Sequence, residues 1–446
     1  AVWRDGVAST AEVPVEPVMG NEAIAAHVQE LSSALHKVRG SAPAAILWLI
    51  GMTAHGEGPS LEACEKEAAS IGIGLQGIDE QEEWTELMTE ARMQDALGLM
   101  REKQGVGSDQ YTGYWLARAS TSTQRAYLDA MRQVAAELQV AARVLAAASA
   151  ATEDREARWA EALERVRRVA PSAWMEWLVL LLPKPGEDPL LFHRRRDICL
   201  QPHGLKLFTL LLRPEYEAAA AVHVPPSQSG FQRFRNAPEG TMEALLQREQ
   251  AQVSRQSHYR GYLDLSCFFP SVARDVAAVV ERKLKVRPSV TQVIAALHAA
   301  TKVRYDLGEL LTAGVASEIG LGQGDSAAPV RSILVVAMMQ RAADLLVDGF
   351  VYMTPEDTHY SETVQVWFCD DGSWGTTSFR MLQLCFDTIS AVARAAGLTV
   401  GVKVDGSKTA WSGMEWISGR WRECDGERRS VRLADDRVVP CVSEYK

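Results

Sequence analysis

Val364-Gln365-Val366-Trp367-Phe368-Cys369-Asp370-Asp371-Gly372-Ser373-Trp374 decides how the rest of the chain is read. Apolar residues run into Cys-Asp-Asp-Gly and resume at about Trp374, which predicts two strands joined by a hairpin turn. Two adjacent carboxylates sit in that turn. A second short strand, Tyr262–Ser266, carries Asp264 between Leu263 and Leu265. An aspartate among apolar residues is costly to bury without a partner. Divalent cations would supply one.

The flanks fit a mixed fold. Pro270 suits the first turn of a helix. Asp325 and Ser326 are placed to cap a long apolar helix over Val330–Leu346. Met381–Ala396 has amphipathic spacing closed by Gly397, and Leu398–Val404 reads as a strand. Upstream, Trp174–Leu182 is a strand entering the Pro183–Gly186 turn, and Leu200–Leu212 is helical. Before Pro171 the chain reads as nearly all helix: Asn21–Arg39, Ala44–Met52, Leu61–Ala69, Glu80–Arg101, Ser122–Ala148 and Asp154–Val169, with residues 1–20 a linker. The whole is an α+β layout, helices packed on an antiparallel sheet.

Composition narrows the class. At about 150 residues per domain, 446 residues predict about three domains. With 47% hydrophobic and 23% charged residues, the chain is neither globally disordered nor a rod. Its longest apolar runs, Trp177–Leu182 and Ile333–Met339, fall well short of the roughly 20 residues a spanning helix needs, so no membrane partner is expected. Seven dispersed cysteines with no Cys-x-x-Cys pair predict reduced thiols in an intracellular protein, nuclear or cytoplasmic. A net charge of −10 speaks against a polyanion ligand. Its distribution is uneven: carboxylates crowd 57–95, while basic residues gather at Lys184, Arg194–Arg196, Lys206 and Arg282–Arg287. Charge alone leaves open whether these are solvated faces or phosphate-binding surfaces.

The order of short motifs is more specific. Tyr262-Leu263-Asp264-Leu265-Ser266-Cys267-Phe268-Phe269-Pro270-Ser271-Val272 resembles motif A of reverse transcriptases. Gly320-Leu321-Gly322-Gln323-Gly324-Asp325-Ser326-Ala327-Ala328-Pro329 resembles motif B, and Phe368-Cys369-Asp370-Asp371 resembles motif C. Gly397-Leu398 with Lys403–Thr409 resembles motif D. Upstream, Leu182–Gly186, Arg196–Leu200 with Lys206–Phe208, Gln228–Arg233 with Gly240-Thr241, and Lys103–Asp109 resemble segments of the non-LTR retrotransposon (LINE-like) group. The departures are Phe268-Phe269-Pro270 in motif A, Gly322 and Ala328 in motif B, and Asp197 after Arg196. None removes a carboxylate.

The resemblance implies an RNA-directed DNA polymerase that adds dNTPs to a primer 3′-hydroxyl, with an RNA template and a DNA primer or target as partners. Asp264, Asp370 and the Leu265 carbonyl would hold two Mg²⁺ ions, with Mn²⁺ as a substitute and Asp371 nearby. Lys408 would stand near the leaving pyrophosphate as a general acid. Lys184 and Arg196 would take the triphosphate, with Arg194 and Arg195 as alternatives. Phe269 would press on the sugar and select deoxynucleotides, and Gln323 and Gly324 would lie against nucleotide and template. The implied architecture is a right-hand polymerase: residues 1–80 a linker and helical extension, 81–260 fingers and N-terminal region, 261–446 palm, with fingers elements interleaved at about 280–315. Val442–Lys446 resembles the start of motif E, so the expectation is a chain ending before the primer grip, without a thumb. Two other readings stand beside this one. An RNA-directed RNA polymerase usually has Gly-Asp-Asp where Cys369 stands and a second Asp near Phe269. An inactive RNA-binding relic is the third reading. The sequence leaves the oligomeric state open.

Overall fold

The structure, a computed structural model, describes residues 80–100, 114–149, 153–185, 195–306, 311–317, 319–346, 350–353, 360–363, 365–426 and 428–443. The expected helices before Glu80 and the Lys103–Asp109 stretch lie outside them, as does Arg194.

In chain order the helices α1 (Glu80–Leu87), α2 (Glu90–Gly98), α3 (Tyr114–Ala117), α4 (Thr121–Ser149) and α5 (Arg155–Val169) lead into the strands β1 (Glu176–Pro183) and β2 (Arg195–Leu200). Then come α6 (His203–His223), α7 (Ala237–Val253), β3 (His258–Leu263), β4 (Leu265–Ser266), α8 (Phe268–Ser271), α9 (Arg274–Lys283), α10 (Pro288–Ala300), β5 (Lys302–Asp306) and β6 (Val315–Ala316). After α11 (Ala328–Leu346) follow β7 (Phe350–Met353), β8 (Tyr360–Thr363), β9 (Gln365–Phe368) and β10 (Asp371–Thr376). Helix α12 (Phe379–Ala395) precedes β11 (Thr399–Val400), β12 (Ala410–Ile417), β13 (Arg420–Glu423), β14 (Val431–Arg432) and β15 (Val438–Val439). The protein is α+β, and its sheets are antiparallel except where β1 runs parallel to β5.

The chain forms two compact units that interleave in sequence. One gathers His223–Phe268 and Ile333–Lys446; the other gathers Lys66–Val222 and Phe269–Ser332.

The first unit is built on a five-stranded sheet in the order β13-β12-β3-β10-β9. Helix α12 backs it. Ser378 caps α12, its Oγ accepting from Met381 N at 3.1 Å, and Gly397 (φ 75°) ends it. Trp374 and Trp411, both fully buried, seat the helix: Trp374 meets Phe386 at 4.7 Å and Trp411 meets Phe379 at 5.4 Å, edge to face. Gly261 is needed in the middle of β3, because a Cβ there would lie 2.5 Å from the Trp374 ring.

The second unit holds the sheet β2-β1-β5-β6 and a helical group in which α4 packs on α1, α2, α5 and α10, and α9 packs on α10. Helix α4 buries Leu128, Met131, Ala135, Leu138, Ala142 and Leu145 at three- and four-residue spacing, a continuous apolar stripe. The expected single helix over Glu80–Arg101 is two. Thr89 breaks it, and its Oγ1 accepts from Arg92 N at 3.2 Å to cap α2. The helix expected over Leu200–Leu212 starts at His203 and runs through Pro214 to His223. Leu200 itself closes β2.

Candidate active site

Strand β3 and the β9–β10 hairpin deliver the three aspartates, all in the first unit. The ladder pairs Gly372 with Leu263, so one step further Asp371 comes opposite Asp264 on strands about 4.8 Å apart. The hairpin turn is tighter than expected. Asp371 already pairs with Phe368, leaving a two-residue turn of Cys369 and Asp370, with Cys369 at φ 59°. Gly372 is a strand residue whose missing side chain admits Trp367: a Cβ would meet that ring at 2.7 Å.

At Asp264 the strand breaks between β3 and β4. Its backbone nitrogen donates to Thr409 Oγ1 (3.2 Å), and its carbonyl accepts from Gly401 N (2.8 Å). Lys408 Nζ donates to Asp264 Oδ1. Asp264 Oδ2 is buried with no hydrogen-bond partner. A Cβ on Gly401 would lie 2.7 Å from that oxygen, so a glycine is needed where the chain packs this closely against Asp264. The expected strand Leu398–Val404 is therefore only Thr399–Val400, paired with Ser266 and Leu265. From Gly401 the chain turns to hold Asp264, and Val404 is fully exposed.

The carboxylates feel one another. Desolvation pushes the Asp370 carboxyl up first, and the Asp264 charge adds to it, while Lys408 and hydrogen bonds in the turn pull it down. Asp371 reaches solvent, yet the loss of hydration and then the charges of Asp370 and Asp264 push it up to about 6, with Lys408 opposing. Asp371 lines a cavity of about 890 Å³ with Phe368, Tyr262, Arg260, Thr241 and Arg248. Asp264 and Asp370 are not among its walls.

Gln228 was not expected to matter at this turn. Its side chain is fully buried against it. Gln228 Oε1 accepts from Cys369 N and from Gly230 N, both at 2.8 Å, and Nε2 donates to Cys369 O at 3.0 Å. Ser229 N and Oγ both donate to Trp367 O (2.8 and 3.0 Å), and Trp367 N donates to Ser227 O (2.8 Å). Only the quoted Gln-Ser-Gly motif hinted at this, since Gln228 and Cys369 are far apart in sequence.

In the second unit lie Lys184, Arg196, Phe269, Gln323 and Gly324. Leu182 pairs with Arg196 and Pro183 with Arg195, so Lys184 and Arg196 share one end of the β1–β2 hairpin. Arg196 is exposed. Burial raises the Asp197 carboxyl there, and the Lys184 charge lowers it. The glycine-rich loop is held against this sheet. Cys199 N donates to Gln323 O at 2.7 Å, and a Cβ on Gly324 (φ 123°) would run into the Cys199 carbonyl. Leu321 N donates to Phe269 O (2.9 Å) and Gly320 N to Val272 O (2.9 Å). Arg274 donates to Gly320 O and His298 O, both at 2.8 Å, and to Ser317.

Hard carboxylate oxygens are the ligand type Mg²⁺ takes, and Asp264 Oδ2 has no hydrogen-bond partner within the protein. As the side chains stand, no group of three or more His, Cys, Asp or Glu among the described residues is set to hold a metal. Among the described residues no helix is long and apolar enough to cross a membrane.

No family model matches the chain, and no curated protein matches its sequence. Among solved structures, a Candida tropicalis apo telomerase truncated from its C-terminal domain aligns at 10% identity over 57% of this chain, with a TM-score of 0.37. The aligned region spans 56% of that chain, a little over half its length.

Proposed function

We propose that the protein is a template-directed nucleotidyltransferase: an RNA-directed DNA polymerase of the LINE-like reverse-transcriptase kind, with the first unit as palm. The observation that supports this best is the placing of Asp264 opposite Asp371 at the ends of adjacent strands, with Asp370 in the adjoining turn and one Asp264 carboxylate oxygen lacking a hydrogen-bond partner. The motif order quoted above adds the substrate class.

Asp264, Asp370, the Leu265 carbonyl and, less directly, Asp371 would hold two Mg²⁺ ions. Bound there, the ions would neutralise phosphate charge and favour ionisation of a primer 3′-hydroxyl. The residues do the positioning. Gly401 lets the chain close on Asp264, the turn presents Asp370, and Lys408 balances the cluster's negative charge when no substrate is present. With a nucleotide bound, the Lys408 ammonium is the proton donor for the pyrophosphate. Lys184 and Arg196 would bind the triphosphate; Arg suits phosphate oxygens because its planar fork is always charged. Phe269 would exclude a 2′-hydroxyl, and Gln323 and Gly324 would face nucleotide and template. An RNA–DNA duplex would be bound through backbone and shape.

Primer extension on an RNA template with Mg²⁺ tests the reading. Deoxynucleotide addition should fall by on the order of 10²–10³-fold in Asp370→Asn, the size of loss seen when an electrostatic group at a reacting centre is removed. A preference for ribonucleotides would instead indicate an RNA-directed RNA polymerase. RNA binding without synthesis would indicate a relic.

A further inference from the structure

We infer that Gln228 is a positioning residue for the carboxylates: its side-chain amide, hydrogen-bonded to both the N–H and the C=O of Cys369, holds the Cys369–Asp370 turn in the shape that brings Asp370 toward Asp264. The inference rests on the proposed function for its catalytic meaning, but its geometry stands on the first unit alone.

A two-residue hairpin turn that places a non-glycine residue at φ 59° is sparsely populated. Such a conformation persists when surrounding contacts over-determine it. Here they do. The Cys369 N–H and C=O, which the β9–β10 ladder does not pair, are buried and need one acceptor and one donor. A primary amide offers both from one planar group. Two amide nitrogens, those of Cys369 and Gly230, converge on Oε1, which fixes which end of the Gln228 amide is oxygen. Gly230 makes the approach possible, because a Cβ there would run into the Cys369 amide nitrogen. The backbone pairing of Ser227 and Ser229 with Trp367 anchors the clamp to β9. No other side chain has this combination of reach and donor–acceptor character. Glutamate keeps the acceptor but cannot donate to Cys369 O, and it adds a charge beside the carboxylates. Alanine loses both bonds.

The experiment compares the full chain with Gln228→Ala and Gln228→Glu. Three quantities are read: amide hydrogen exchange over residues 366–372, binding of MnCl₂ alone by calorimetry, and primer-extension kcat and KM for dNTP. In Gln228→Ala, exchange at Cys369 should accelerate at least about tenfold. Mn²⁺ binding and kcat should each fall about 10- to 100-fold, as when a group orienting a metal ligand is lost. KM for dNTP should stay within about threefold, because Gln228 touches no triphosphate-binding residue. Gln228→Glu should keep the Cys369 amide protected yet lose kcat. Faster exchange with unchanged Mn²⁺ affinity and unchanged kcat would overturn the inference, leaving Gln228 a structural residue. If Gln228→Ala does not fold, Gln228→Glu decides: wild-type Mn²⁺ affinity and kcat in that variant would overturn it. A wild-type chain that neither binds Mn²⁺ nor extends a primer would sink the polymerase reading instead. The positioning claim would fall with it.

Discussion

Lys408 is the most informative single side chain. It pairs with Asp264 and lowers the proton affinity of both Asp370 and Asp371. Removing its charge raises those two carboxyls further. If ionised carboxylates are needed for activity, the acidic limb of the pH–rate profile should move to higher pH in Lys408→Met than in the parent. An unmoved limb with a lower plateau would assign Lys408 to proton donation alone. Gly401 makes a sharper geometric test. In Gly401→Ala a methyl would press on Asp264 Oδ2 at 2.7 Å, so synthesis should fall about tenfold or more while the urea midpoint changes little. Phe269→Ala should admit ribonucleotides; single-nucleotide incorporation with paired dNTP and NTP checks it, and unchanged discrimination would remove that role.

Secondary-structure elements carry a different kind of evidence. Arg331 of α11 and Glu281 of α9 form a pair at 2.6 Å with both side chains almost fully buried. Removing one partner strands a buried charge, so Arg331→Met should cost about 3–5 kcal/mol. Arg331→Met combined with Glu281→Leu should recover most of that loss, as urea unfolding would show. Elements also show where sequence reading stopped. The Asp264 and Asp370 strands were readable because aspartates among apolar residues are conspicuous. The turn was read too long, since Gly372 looks like a turn residue and Cys369 does not, yet Cys369 takes the left-handed backbone. Leu398–Val404 reads as a full strand in the sequence. The need for Gly401 to reach Asp264 cuts it short, and that need is a tertiary contact. Pro214 hid the second half of α6. Gln228 could not be given its role, because its partners come from β9 and the following turn, distant in sequence.

Across the whole molecule, ionisable groups predict how stability responds to acid. His258 and His298 are buried and held neutral, each with its pKa pushed down to about 3, mainly by burial and further by nearby arginines; an Asp325 hydrogen bond opposes the fall at His298. An unfolded chain would protonate them near 6.5. Between pH 6.5 and 3 the unfolded state therefore binds protons that the folded state refuses, and stability drops as pH falls through that window. By pH 5.5 each histidine should contribute a loss of roughly 1 kcal/mol. Asp387 and Asp371, both raised to about 6, act in the opposite sense between about 6 and 3.8, where the folded state holds protons that the unfolded chain releases. The histidine part is therefore read by difference: urea unfolding at pH 7.5 and 5.5 should show a smaller acid loss in His258→Gln and in His298→Gln than in the parent.

Because β3 pairs with β10, and the two lie on opposite sides of the Phe269–Ser332 stretch, Leu263 meets Gly372 only after roughly a hundred more residues have been made. At about 5–20 residues per second, a ribosome leaves the first aspartate strand waiting several seconds for its neighbour. Until β10 and β12 follow, nascent β3 has neither of its ladder partners, so this sheet can form only late in synthesis.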